Sequence, residues 1–255
     1  MQQIHKKDFQ VQGLSSQANR AITLDIGCGH GFKTCTESKH NYTIGIDYDE
    51  ENIKICLTRY PNNIFVIMDA EKLGVQSLIC AKVIIHDVLE HVVAPDSVVT
   101  EAYRVLQNKG ILDIIVPHSR SEKILAWLRP TYLDDIGHRR VFVDDKLPNT
   151  IKASGFYIES SKLVGFLQTI YLCVVLIIRR GISQSNGDTS IFDWRSHWLH
   201  ALLHIIMVHF DPVIWDTPLR YSPIALFTVP VGRVIESLFA HALPKSQRIV
   251  STKLT

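Results

Sequence analysis

Along the first two-thirds of this 255-residue chain, short apolar runs alternate with longer stretches in which apolar residues recur every three or four positions. The runs lie near 21–26, 42–46, 64–68, 83–86 and 111–116. Continuous apolar runs of this length suit strands buried on both faces, and the stretches between them suit helices with one apolar stripe. The alternation predicts a parallel sheet with helices on both sides. From Pro95 to Gln107, Val98, Val99, Ala102, Val105 and Leu106 share one helical face. Another helix is expected over 144–153, stopped by Ser154-Gly155, and a sixth strand from Phe156 to Leu163.

Beyond Leu163 the pattern changes. An almost unbroken apolar run over 163–178, interrupted by Gln168 and Thr169, ends at Arg179-Arg180. As a helix it would reach about 24 Å, short of a hydrocarbon core of roughly 30 Å, so it is not expected to cross a bilayer. A second stretch, Trp198 to Trp215, places Leu199, Leu202, Leu203, Ile206 and Phe210 on one face with His197, His200 and His204 on its flank. A third, Ile224 to Leu243, is broken by Pro230, Gly232, Arg233 and Glu236, after which Gln247 to Leu254 reads as a seventh strand. The expected division is a core over 1–163, an apolar helical insertion over 164–243 and a closing strand within 244–255. The insertion is expected to cap the acceptor side and touch a membrane surface or lipid peripherally; the alternative is that it completes a larger soluble core.

The strand over 21–26 runs into Leu24-Asp25-Ile26-Gly27-Cys28-Gly29-His30-Gly31. Glycines on alternate positions let the backbone turn sharply and approach a ligand where a Cβ would intervene, and the helix that follows begins with free N–H groups. A dinucleotide fingerprint would need its third glycine at position 32, which is Phe32. The second strand ends in Asp47, about twenty residues on, where an acid can hold ribose hydroxyls in either cofactor class. Asp69-Ala70-Glu71 follows the third strand and Asp87-Val88-Leu89-Glu90-His91-Val92 the fourth.

With Arg104-Val105-Leu106 before Gly110 and the fifth strand, this order over roughly residues 20 to 163 resembles the class I S-adenosylmethionine-dependent methyltransferases, especially their type 11 branch. The resemblance implies a seven-stranded, mostly parallel, Rossmann-like α/β sheet with S-adenosylmethionine as cofactor. It places Gly27, Gly29 and Gly31 at the methionine end, with Asp25 and Cys28 also among the cofactor-binding residues. Asp47, followed by Tyr48, would take the ribose, Asp69 and Ala70 the adenine, and Asp87 a place beside the transferred methyl. One departure is the turn before the fifth strand, Asn108-Lys109-Gly110-Ile111, where the family usually carries Lys-Pro-Gly-Gly.

The chain is 46% hydrophobic and 20% charged with a formal charge of +2, which leaves no basic cluster able to neutralise several phosphates and argues against nucleic acid. Its five cysteines show neither C-x-x-C spacing nor an even framework, pointing to free thiols and away from zinc. No metal site is assigned, because His197, His200 and His204 have no carboxylate or thiol pattern to reinforce them. Met1 to Arg20 lacks an apolar signal region, so a cytoplasmic enzyme is expected, peripheral at most on the inner face of a membrane.

An oxygen acceptor needs a base near pH 7, for which histidine is suited. His118, after the fifth strand, and His138, in a Gly-His-x-Arg-type segment that recurs in the resembling family, are candidates. His91, at the helix start expected after Asp87, is a third. The structural alternative has His138 bonding backbone to fix its loop, and Asp87, Glu90 and His91 forming a hydrogen-bonded corner. The expected reaction is methyl transfer to a small or lipid-linked acceptor such as a glycan intermediate, isoprenoid or quinone. A non-catalytic S-adenosylmethionine-binding scaffold and a nicotinamide-dependent oxidoreductase are the alternatives.

Overall fold

The computed structural model describes residues 21–143, 145–186, 233–235 and 237–254, and for 178–186 the backbone alone. Seven strands form one sheet in the order β3-β2-β1-β4-β5-β7-β6. They are β1 (Ile22–Ile26), β2 (Tyr42–Asp47), β3 (Ile64–Ile67), β4 (Cys80–His86), β5 (Leu106–Pro117), β6 (Phe156–Val164) and β7 (Ser246–Lys253). The pairings β1 with β2, β1 with β4, β2 with β3 and β4 with β5 are parallel. Helices intervene: α1 (Phe32–Glu37), α2 (Glu50–Arg59), α3 (Pro95–Val105), α4 (Ser119–Leu128), α5 (Tyr132–Asp135), α6 (Lys146–Ala153) and α7 (Phe166–Asn186). The order reverses between β1 and β4, and in such sheets ligands lie at the carboxyl ends of the strands beside that reversal.

The chain separates into two compact units. The first comprises the described parts of 1–116, 142–161 and 248–255, the second those of 117–141 and 162–247. In the first, Leu24, Ile26, Ile44, Ile46, Val83, Ile85, Leu112 and Ile114 belong to one buried cluster with Val98, Val99, Ala102 and Val105 of α3. Every stripe residue on α3 is fully buried, and each Val is stabilising by roughly 1.5–3 kcal/mol through burial. Pro95 opens that helix where its missing N–H costs nothing, and Asp49 caps α2 by accepting the Glu51 N–H at 2.8 Å.

The opposite face of the sheet carries buried charged groups beside apolar ones such as Ile84. Asp25, Ile84 and Asp113 are register partners on β1, β4 and β5, so their side chains project to the same side, with Lys82 and His86 two places either way along β4. Arg248 of β7 donates to both Asp113 oxygens, at 2.9 and 2.7 Å, and His86 Nε2 lies 3.4 Å from Oδ1. Burial alone would raise the Asp113 carboxyl; His86 and Arg248 outweigh it and hold the group well below the usual range. Lys82 pairs with Glu37 at 3.0 Å, so these charges on the buried face are matched.

In the second unit, Leu125, Tyr132 and Leu176 form a separate buried cluster joined by Leu128, Leu133, Ile136, Leu172 and Cys173. Phe166 and Phe239 stack with ring centres 5.4 Å apart. Gly165, at φ +84°, separates β6 from α7, and a Cβ there would meet Lys245 Cβ at 2.5 Å.

Three boundaries differ from the expected ones. The α3 helix stops at Val105, and the expected turn at 108–111 is an irregularity inside β5: Cys80 pairs with Leu106 but Lys82 with Ile111, and Lys109 takes φ +62° to absorb the extra residues. The apolar run begins as a helix only at Phe166, because Val164 belongs to β6 and Gly165 makes the break. The helix then continues past the apolar run to Asn186; among the described residues no helix is long and apolar enough to cross a membrane. Asp87 to His91 is a turn rather than a helix start, closed by the His91 N–H donating to the Val88 carbonyl at 2.9 Å. The expected helix from Trp198 to Trp215, with His197, His200 and His204, lies outside the described residues, as does half of the stretch from Ile224 to Leu243.

Candidate active site

At the carboxyl end of β1 the backbone enters three left-handed turns, Gly27 at φ +68°, Gly29 at +50° and Gly31 at +78°. The Cys28 N–H donates to the Ile46 carbonyl at 2.8 Å and the Gly31 N–H to the Cys28 carbonyl at 2.9 Å, which folds the loop against β2. The three glycines differ in what surrounds them. A Cβ on Gly27 would lie 2.3 Å from Val88 Cγ2, and one on Gly31 2.8 Å from both Cys56 Sγ and the Phe65 ring. Around the Cβ position of Gly29 there is nothing within 4 Å. Two glycines are required by packing, and the third faces open space.

Asp47 ties that open position to β2. Its Oδ2 accepts the Gly29 N–H at 2.8 Å and its Oδ1 the Asp49 N–H at 2.9 Å, so the carboxylate is held from two sides while remaining half-buried. Cys56 Sγ donates to the Gly29 carbonyl at 3.1 Å. Its burial pushes the Cys56 thiol up to about 11, and burial pushes Cys28 up further still, so both remain protonated packing groups. Tyr48, next to Asp47, is 83% exposed, an aromatic ring in solvent at the rim.

The loops after β3 and β4 meet this one. The Met68 N–H donates to the Asp47 carbonyl at 2.9 Å, fixing where β3 ends, and Asp69 Oδ1 caps the following turn through the Glu71 N–H at 2.8 Å. Glu71 Oε1 accepts the N–H groups of Val93 and Ala94 at 2.8 and 2.9 Å and so joins the Asp69-Ala70 loop to the segment after β4. Asp87 sits at φ +53°, a conformation uncommon for a residue with a Cβ, with its N–H donating to the Ile115 carbonyl at 2.9 Å. Val88 then closes against Gly27. Gly27, Gly29, Asp47, Asp69 and Asp87 are thereby brought to one end of the sheet, with Asp69 and Asp87 exposed.

Asp25 lies beneath the loop, 2% exposed, with its Oδ2 accepting Thr34 Oγ1–H at 2.5 Å. Burial raises its carboxyl to about 6, against the opposing pull of the Thr34 hydrogen bond and the His86 charge. Thr34 and Glu71 are the two organising side chains that periodicity and motif reading missed. Neither stands at a strand end, and only the folded contacts show what each holds.

The candidate bases divide between the units. His91, in the first, is exposed on its turn. In the second, His118 caps α4: Nδ1 accepts the Arg120 N–H at 3.2 Å and its backbone N–H donates to the Lys245 carbonyl at 2.9 Å. His138 Nδ1 lies 2.5 Å from Glu122 Oε1, with both side chains buried. The ring is thus held by a carboxylate, since Glu122 on the buried side of α4 reaches it directly.

Residues 24–114 match a family model described as a methyltransferase domain. By sequence, no curated protein matches. Among solved structures, a SAM dependent methyltransferase from Archaeoglobus fulgidus aligns over 92% of this chain and 87% of its own, at 16% identity and a TM-score of 0.53. Phosphoethanolamine N-methyltransferase 2 of Haemonchus contortus, in complex with S-adenosyl-L-methionine, aligns over 92% of this chain and 49% of its own, at 16% identity and 0.56. At these identities the likeness is one of fold. The domain match covers the glycine loop and the acids Asp47, Asp69 and Asp87 after β2, β3 and β4, and it agrees with an S-adenosylmethionine-dependent methyltransferase.

Proposed function

We propose that the β1 to β4 loops bind S-adenosylmethionine and that the acceptor is a small or lipid-linked molecule of the glycan-intermediate, isoprenoid or quinone kind. The observation that carries the donor assignment is Gly29: left-handed, with its N–H on the Asp47 carboxylate and open space where a Cβ would stand. Such a cradle fits a ligand lying against backbone, and the acids around it suit a donor with a sulfonium and an ammonium group. Asp47, held at two oxygens, takes the ribose hydroxyls, with Tyr48 at the rim. Asp69 and Ala70 meet the adenine, Gly27, Cys28 and Gly31 shape the methionine end with Asp25 beneath, and Asp87 stands beside the methyl group. The bound sulfonium supplies an activated methyl for in-line displacement, and the residues of the chain contribute by holding donor and acceptor in register.

Of the three histidines, His138 has the arrangement of an oriented base, with Glu122 fixing its tautomer and ring. An acceptor of lipid character, met at a membrane surface from the cytoplasm, is supported by the apolar sequence carried over 164–243.

Calorimetry with S-adenosylmethionine, its demethylated product and NAD tests the donor. Tight binding of the first two and none of NAD is expected, with Asp47→Ala weakening it roughly tenfold, as for loss of a charge-assisted hydrogen bond; unchanged affinity in that variant removes Asp47 from the ribose role. Labelled methyl from the donor should partition into the organic phase of a cell extract; label confined to water-soluble products would overturn the lipid assignment. Replacing His138 by Asn should lower turnover roughly a hundredfold with donor affinity intact, and equal turnover would leave the ring with a structural task alone.

A further inference from the structure

We propose that Thr34 is a positioning residue of the donor site, acting through Asp25: its hydroxyl keeps the Asp25 carboxylate ionised beneath the glycine loop and so sets the pH below which donor affinity falls. The inference rests on the donor reading above.

Thr34 lies in the first turn of α1, three residues after Gly31, and is fully buried. Its Oγ1–H donates to Asp25 Oδ2 at 2.5 Å and so ties α1 to that carboxylate. The space it occupies is built for it. A Cβ on Gly45, the β2 register partner of Asp25, would come within 2.6 Å of Thr34 Oγ1. A glycine on β2 therefore makes room for a hydroxyl on α1 to reach an acid on β1.

A buried carboxylate with no donor favours its neutral form, and each donor pulls it back toward the charged form. The other groups facing Asp25 are Lys33 and Glu37 from α1, which oppose one another, and His86 from β4, which favours the charge. The Cys28 and Cys56 thiols also lie near it, and both are protonated. With β2 presenting Gly45, Thr34 is the uncharged donor in this set, and its contribution does not depend on pH. At a site that takes a ligand with a sulfonium and an ammonium group, losing the negative charge beneath the loop lowers affinity.

The test is donor affinity measured by calorimetry from pH 5 to pH 8 on the full chain, with a thermal melt at each pH. The donor's own titration is common to every variant and cancels in the comparison. Wild-type affinity should fall on the acid side of a midpoint near 6, and Thr34→Val should move that midpoint up by about one pH unit, so that affinity near pH 6 drops about fivefold. Thr34→Ser, which keeps the donor, should return the midpoint to the wild-type position. Thr34→Cys, a weak donor of similar size, should fall between and serves if the Val variant does not fold. Asp25→Asn should show no midpoint at all. A folded Val or Cys variant with the wild-type midpoint overturns the inference while leaving the donor reading intact. Asp25→Asn binding the donor like wild type at pH 8 removes Asp25 from the site and overturns both assignments for that residue.

Discussion

Gly29→Ala is expected to lose donor affinity by at least about a hundredfold on a protein that still folds, whereas Gly31→Ala is expected to lose the fold around the loop. Both residues are left-handed, so both substitutions carry a backbone cost of about 1–2 kcal/mol. The difference lies in the surroundings. The Gly29 Cβ enters open space, so the unbound protein meets no clash and its melting temperature should fall by only a few degrees. That same methyl occupies the volume in which a ligand would rest on the backbone, and no nearby side chain can give way to restore it.

The Gly31 Cβ instead strikes Cys56 and Phe65, which pack with Cys28 and Ile53 in a small closed cluster. Overpacking there adds about 1–3 kcal/mol to the backbone cost, for a total of roughly 2–5 kcal/mol. Thermal melts and donor titrations on the two variants separate these effects. Wild-type donor affinity in Gly29→Ala would remove the glycine cradle as the binding surface, and a Gly31→Ala protein as stable as wild type would show that the Phe65 cluster can yield.

Asp25→Asn is expected to stabilise the protein without ligand by roughly 3 kcal/mol at pH 8, the free-energy equivalent of raising a carboxyl from 3.8 to about 6 on folding. Because the folded state holds the Asp25 proton more tightly than the unfolded chain does, it binds more protons between those two values. The favourable contribution of that proton is fully present below pH 3.8 and is lost as pH rises through about 6. The ionised group is therefore a net cost at neutral pH, where Asn removes the charge yet can still accept the Thr34 hydrogen bond through its carbonyl oxygen. The gain over wild type should shrink as pH falls through 6 and vanish near 4. Denaturant titrations at pH 4 and pH 8 check the sign; a variant less stable than wild type at pH 8 would mean that the buried charge is satisfied in the fold. A stability gain coupled to weaker donor binding would show that the acid is kept for its task at the loop, at the expense of the fold.

The first five strands, the stripe on α3 and the acids after β2, β3 and β4 were legible because each depends on local periodicity or on a residue placed next to a strand end. Val98, Val99, Ala102 and Val105 must share a face at helical spacing, and a glycine between apolar strand and helix must turn. The matching family domain spans these same residues. What no single stretch could show is the pairing of distant positions. Thr34 reaches Asp25 because Gly45 leaves room for it, and Glu71 reaches Val93 and Ala94 because β3 and β4 end at the same edge. Asp113 in the middle of β5 would break an apolar strand but for Arg248, 135 positions later, and His86. The end of α3 and the irregularity in β5 were decided by sheet register, which overrides local turn chemistry when a strand must keep its buried side chains facing the core. Local sequence determined which elements exist and where acids and glycines lie along them; the three-dimensional packing decided which glycine is open, which acid is held and which is buried, since those are properties of neighbours far apart in the chain.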